Sequence, residues 1–213
     1  MKKLIIYICF AFLTDSLVAQ GLKTIVLNPP DLTRGLTVMK ALSLRSSANE
    51  FDTTEIKLQD LSDLLWASNG INRPESGKRT APSAQNAQDI DVYVFMKSGI
   101  YLYDAKKHLL DLIIDRDYRN LIAGKQQYVA KAPVICLLVS DISKFRVGED
   151  SLRVILGAED AGIVSQNISL FCASVDLATR TRGSMDRQKL REILKIKDTQ
   201  HLMLNNPISY KRN

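Results

Sequence analysis

Arg45-Ser46-Ser47-Ala48-Asn49 sets a guanidinium beside two hydroxyls. That combination suits a phosphate, because arginine makes paired charge-assisted hydrogen bonds to an oxyanion and serine adds donors. An ordinary solvated loop has the same composition, and that alternative stays open. A second group, Arg79-Thr80-Ala81-Pro82-Ser83-Ala84-Gln85-Asn86, joins a stiffening proline to neutral donors and acceptors. Neutral groups of this kind read the edge of a heteroaromatic ring, where carbonyls and N–H groups alternate. Turn chemistry draws on the same residues. Thr179-Arg180-Thr181-Arg182-Gly183 and the C-terminal pair Lys211-Arg212 are further basic groups, the latter also compatible with a solvated tail. Tyr93, His108 and His201 read as packing or surface residues, so no catalytic acid or base is named.

The chain that must position these groups has 213 residues, which fits one domain or at most two small ones. Apolar residues make up 46% and charged residues 24%, proportions that exclude a disordered or collagen-like chain. The net charge of +6 is spread without long basic runs. It suits an anionic ligand and argues poorly for nucleic acid. Three Cys and two His form no recognisable metal-ligand spacing, so no metal site is expected.

Met1-Lys2-Lys3 followed by the apolar stretch Leu4 to Leu13 and a small residue at Ala19 reads as a Sec-type signal peptide over residues 1–19. An uncleaved anchor is the alternative. The apolar run falls short of the ~20 residues that span a bilayer. The expectation is an exported chain, residues 20–213, periplasmic or secreted and free of the membrane after cleavage. Cys136 and Cys172 both sit in apolar stretches and read as small buried hydrophobes, with a disulfide as the alternative.

The pattern along the chain mixes helix and strand. Helices are expected at Gly35 to Leu42, at Leu58 to Ala67 with Asp60 and Asp63 outside the apolar face, and at Asp186 to Leu194. Asn69 to Asn86 reads as a long loop, and Tyr118 to Lys131 as helical in part. Strands are expected at Asp91 to Met96, Ile100 to Tyr103, His108 to Ile114, Pro133 to Val139 and His201 to Leu204. Ser151 to Leu177 is the longest helix candidate. It is so apolar that it must be buried in a core or against a second subunit.

The order and spacing of the four clusters resemble the nitroreductase-like flavoprotein superfamily. Arg45-Ser46-Ser47-Ala48-Asn49-Glu50-Phe51 aligns with the family's phosphate-gripping Arg-Arg-Ser-x-Arg-x-Phe, with Ser46 and Asn49 where arginine is usual. Pro82, Ser83, Asn86 and Gln88 match Pro-Ser-x-x-Asn-x-Gln. Leu64 to Arg73 is similar to the branch containing peptide-azoline dehydrogenases. Val175-Asp176-Leu177-Ala178-Thr179 stands for Leu-Gly-Leu-Gly-Thr with both glycines lost. The C-terminal Asn206 to Arg212 is similar to the family's closing segment.

The resemblance implies an α+β fold, a mixed or antiparallel sheet flanked by helices, in an intertwined homodimer with FMN at the subunit interface. It implies cofactor contacts from Arg45, Ser46, Ser47, Asn49, Pro82, Ser83, Ala84, Asn86, Ala178, Thr179, Arg182, Gly183 and Arg212. The implied activity is ping-pong hydride transfer through flavin N5 to or from a small organic substrate. An exported FMN-binding protein with little turnover and a flavin-free scaffold of the same fold are the alternatives.

Overall fold

The computed structural model describes residues 24–212, so the signal-peptide reading lies outside the described residues. In chain order the elements are β1 (Ile25–Val26), α1 (Val38–Leu44), α2 (Leu58–Asn69), β2 (Ile71–Arg73) and β3 (Lys78–Arg79). Next come β4 (Ile90–Met96), β5 (Gly99–Asp104), β6 (Leu109–Ile114), α3 (Arg119–Ala123) and β7 (Val134–Asp141). The last are α4 (Asp150–Ser174), β8 (Leu177–Thr179), α5 (Arg187–Ile193) and β9 (Gln200–Tyr210). Seven strands form one sheet in the order β1-β6-β5-β4-β7-β9-β8, and every neighbouring pair is antiparallel. The remaining two, β2 and β3, pair as a separate hairpin.

The unbroken apolar run of β7 follows from its central place. Val134, Cys136 and Leu138 enter one hydrophobic cluster, while Ile135, Leu137 and Val139 enter another on the opposite face. β4 divides the same way, with Val92 and Val94 on one side and Tyr93 and Phe95 on the other. Helices α2 and α4 supply the first cluster, and α3 and α5 the second. The sheet is therefore the middle of three layers.

Several boundaries differ from the sequence reading. The long helix ends at Ser174, and Leu177 already belongs to β8. Asp176 makes this exit in the left-handed region, at φ 62°, where a family glycine would sit without strain. Nor is α4 buried on every side. Ala161, Val164, Ile168 and Cys172 face the core, while Leu152 and Ile155 are exposed. The stretch from Asn69 to Asn86 is not all loop, because the β2–β3 hairpin lies within it. His108 turns in left-handed conformation before β6 rather than starting the strand.

The last strand is longer than expected and runs through Pro207, which pairs with Ile135 although it has no N–H to donate. Asp60 and Asp63 are buried rather than outside the apolar face of α2. The chain from Leu27 to Arg34 covers them, and the Arg34 guanidinium binds both carboxylates, Asp63 at 2.9 Å. Cys136 and Cys172 are free and buried, and burial pushes the Cys136 thiol up to about 12.

Candidate functional site

Three of the four clusters meet just beyond the C-terminal end of α4. The Ala48 amide donates to the Thr179 carbonyl at 2.9 Å, which ties the first cluster to the third. Arg212 reaches Glu50 at 3.0 Å, and Lys211 reaches Asp176 at 2.5 Å, so the C-terminal pair closes over the same end. A cavity of about 110 Å³ lies between them, lined by Ser46, Ala48, Ser169, Ala178, Thr179 and Lys211 among others. Phe51 anchors the segment from below, buried and stacked on Tyr128.

Apart from the Lys211–Asp176 and Arg212–Glu50 pairs, the polar groups at this end have no ion-pair partner among the described residues. Arg45, Ser46 and Ser47 are exposed, and their side chains have no partner among the described residues. The Thr179 hydroxyl is buried and unpartnered. Arg180 donates to Asn49 Oδ1 at 3.3 Å and to the Tyr128 hydroxyl at 3.1 Å, both neutral. The buried Arg182 guanidinium donates to the side chains of Gln126 and Asn205 and to the carbonyls of Ile122 and Ala123.

Desolvation lowers the pKa of Arg182, with no carboxylate beside it to restore it. The Arg182 amide is also taken, donating to the Asn205 carbonyl at 2.8 Å. The Arg182 donors therefore face the protein in this chain. Gly183 is exposed, and a side chain there would meet nothing within 4 Å.

The second cluster is built differently. Pro82, Ser83 and Ala84 lead into a single 3₁₀ turn, and Gln85, Asn86 and Gln88 all adopt positive φ, between 49° and 56°. Each such non-glycine residue costs about 1 kcal/mol, so the surroundings must hold the loop in place. The Ala84 amide donates to both carboxylate oxygens of Asp160 on α4, at 3.0 Å each. Ser83 Oγ accepts from the Gln88 amide at 2.9 Å. The Gln85 side chain is clamped to Arg146 and Val147. Asn86 is left exposed, with no side-chain partner among the described residues.

The two ends are separate within one chain. Asp160, which seats the loop, is 14 residues before Ser174, or about 21 Å along the axis of α4. The described chain thus brings together Arg45 to Asn49, Ala178 to Gly183 and Arg212, but not Pro82 to Asn86. Asp160, Asp89, Gln126 and Tyr128 escaped the sequence reading. Asp160 did leave a signal, an acid interrupting the buried face of an apolar helix.

Other titratable groups serve packing. His108 bonds the Tyr103 hydroxyl and the Asn28 carbonyl, and burial pushes its pKa down. No group of His, Cys, Asp and Glu among the described residues could hold a metal. A larger cavity of about 580 Å³, bounded by Ile56, Leu61, Met96, Lys97 and Lys131, is lined by none of the expected site residues.

Comparison with known proteins gives the family and the fold. A candidate nitroreductase of Methanocaldococcus jannaschii is 29% identical over 192 residues, covering 85% of this chain and 95% of that protein. The crystal structure of a candidate nitroreductase from Ralstonia eutropha is 36% identical, covers 89% of this chain and 90% of that one, and has a TM-score of 0.83. The NADPH:FMN oxidoreductase of Vibrio harveyi, solved with NAD+, shares the fold at 17% identity and a TM-score of 0.60, over 83% of this chain and 69% of that one. The model of the nitroreductase family matches residues 42–208, a span that takes in both ends of α4 and every expected site residue except Arg212. On that match and the 36% identical structure, this chain belongs to the nitroreductase family of oxidoreductases.

Proposed function

We propose that the chain is an FMN-dependent oxidoreductase whose site is completed by a second copy of itself. One observation carries this reading: around the Thr179 cavity, Arg45, Ser46, Ser47 and the buried Thr179 hydroxyl have free donors and no anion bonded to them among the described residues. A phosphate dianion supplies the missing charge, so the residues present fit FMN. Arg45 would hold the phosphate through paired N–H groups, with Ser46, Ser47 and the Thr179 hydroxyl as further donors. Arg212 would exchange the Glu50 carboxylate for the phosphate. When bound, FMN supplies a ring that accepts hydride from one molecule and passes it to another. Arg180 and Arg182, bonded only to neutral groups, favour the negative charge gained on reduction.

The ring-edge contacts fall to the partner subunit's Asn86, since each chain's own loop sits about 21 Å along α4 from the phosphate end. The exposed apolar surface of α1 and α4 supports a dimer. Met39 is 77% exposed, Ile155 is 56% exposed, and Val38, Leu42, Leu44 and Leu152 lie on the same two helices. A patch of that kind marks an interaction surface.

The test is to purify the protein and record its absorption spectrum and native mass. Yellow dimers that bleach with a reductant and recover with an oxidant are expected. Colourless protein that takes up no FMN overturns the reading, and yellow protein that never turns over favours a carrier. Export through residues 1–19 belongs to the same proposal. A Sec-exported chain crosses unfolded, so FMN would load after translocation and the donor would be something other than a nicotinamide. Flavin-free processed protein outside the cytoplasm, or fast use of NADPH, counts against that part.

A further inference from the structure

Two carboxyl groups stand buried together behind the Pro82–Asn86 loop. Asp89 is 0% exposed and Asp160 is 3% exposed. Asp89 follows the loop directly, and Asp160 projects from the middle of α4. Ser140 on β7 donates to Asp89 Oδ2 at 2.5 Å. The other oxygen, Oδ1, is buried with no partner, and Asp89 and Asp160 line the same small cavity beneath Pro82 and Ser83. Two ionised carboxylates can only accept, so neither can bond the other. One proton between them turns the orphaned oxygen into a donor and removes the clash of buried charges.

Their surroundings offer no cation that could replace that proton. Arg79 on β3 lies near enough to feel the Asp89 charge, yet its Nε donates to Gln88. Lys144, after β7, is paired with Asp91 on β4, and Arg146 is bonded to the Gln85 carbonyl. From β7 itself comes Ser140, and Asp141 next to it accepts from Ser143. On α4, Glu159 is exposed and Arg153 is paired with Asp150. The helix and β7 approach closely because residue 157 is glycine. A Cβ there would stand 2.3 Å from Ser140 Oγ and push that donor off Asp89. Burial first, then Asp160, pushes the Asp89 carboxyl up to about 7.

We propose that Asp89 and Asp160 share a single proton, and that this proton seats the Pro82–Asn86 loop on α4 and so makes its grip on the flavin ring pH-dependent. The first half stands on the buried pair alone, and the second rests on the proposed flavin site. With the proton held at Asp89, both oxygens of Asp160 accept the Ala84 amide. When the proton leaves, two buried anions face each other across that contact. They separate, and the loop loses its main anchor to the helix.

The experiment uses the full chain without added flavin first. Infrared difference spectra across pH 5 to 9 should show a buried protonated carboxyl lost as the pH passes about 7, absent from Asp89→Asn. The Ala84 amide resonance should move with the same midpoint in the wild type and stay still in Asp89→Asn, whose side-chain amide donates permanently to Asp160. No titrating carboxyl, or the same one in Asp89→Asn, overturns the shared proton. A titrating carboxyl with an unmoved Ala84 resonance overturns the coupling to the loop. FMN affinity measured next should fall roughly tenfold above the midpoint in the wild type, the scale of one hydrogen bond, and stay flat in Asp89→Asn. A flat wild-type profile overturns the pH-dependent grip. Absence of FMN binding at every pH condemns the flavin reading and the grip, leaving the shared proton and the loop's seat to stand on the first two measurements.

Discussion

Helix α4 holds two sites of opposite construction. At its middle the Pro82–Asn86 loop is over-determined, with left-handed residues, a doubly accepted amide and buried acids behind it. Past its C-terminal end the cationic cluster is loosely made, with Arg45, Ser46 and Ser47 exposed and unpaired among the described residues. On the proposed FMN reading, the difference follows from what each end would have to recognise. A phosphate is found by charge, which acts at a distance and tolerates mobile side chains. A ring edge is read by neutral hydrogen bonds, which fail when misplaced by a fraction of an ångström, so those groups need a rigid frame.

The contrast can be broken at Arg182, the buried guanidinium of the cationic end. Arg182→Ala strands the acceptors of Gln126, Asn205, Ile122 and Ala123 and should cost about 3 kcal/mol in urea unfolding. A loss below about 1 kcal/mol would mean that water satisfies those groups and that this end has no fixed part.

Arg45→Ala tests the mobile part. FMN affinity should drop roughly ten- to a hundredfold, while riboflavin, which lacks the phosphate, keeps its affinity. Stability should change by less than about 0.5 kcal/mol, as for other exposed side chains. Equal losses for both flavins in titration calorimetry would remove Arg45 from the phosphate site.

The rigid end predicts a pH effect on stability. The Asp89 carboxyl is raised in the folded chain from 3.8 to about 7, so between those values the folded state binds the proton more firmly than the unfolded one. Stability from this group is full below about 4 and is lost as the pH rises to about 7. Asp89→Asn should flatten that slope in thermal melts, and an unchanged slope would assign it to other groups.

Asn86→Ala should leave FMN bound but shift its reduction potential by on the order of 30 mV, the two-electron equivalent of one hydrogen bond. An unchanged potential in fully loaded protein would confine Asn86 to its turn. The smallest effect belongs to Arg212. Its exposed pair with Glu50 must be broken before it can serve a phosphate, so Arg212→Ala should weaken FMN by no more than about tenfold. A larger loss would show that Glu50 is no competitor.

Much of this was legible in residue order. The two-sided burial of β7 follows from an apolar run without alternation, and α2 from leucines at helical spacing. A phosphate-type cluster could be proposed because arginine and serine carry their chemistry in their types, wherever the backbone runs. What the residues alone misplaced depended on partners remote in the chain. Asp60 and Asp63 look like solvent-facing acids until Arg34, 26 residues before the first of them, covers both. The partners of the Arg182 guanidinium, Asn205 and Gln126, are likewise remote in the chain. Asp160 looks like a polar interruption until the Ala84 amide and Asp89 arrive from the segment that leads into β4. Local spacing decides whether a segment is helix or strand, because those hydrogen bonds and faces repeat within a few residues. Whether a charged side chain meets water, a counter-charge or another carboxyl depends on which distant segment packs over it, and the tertiary structure alone decides that.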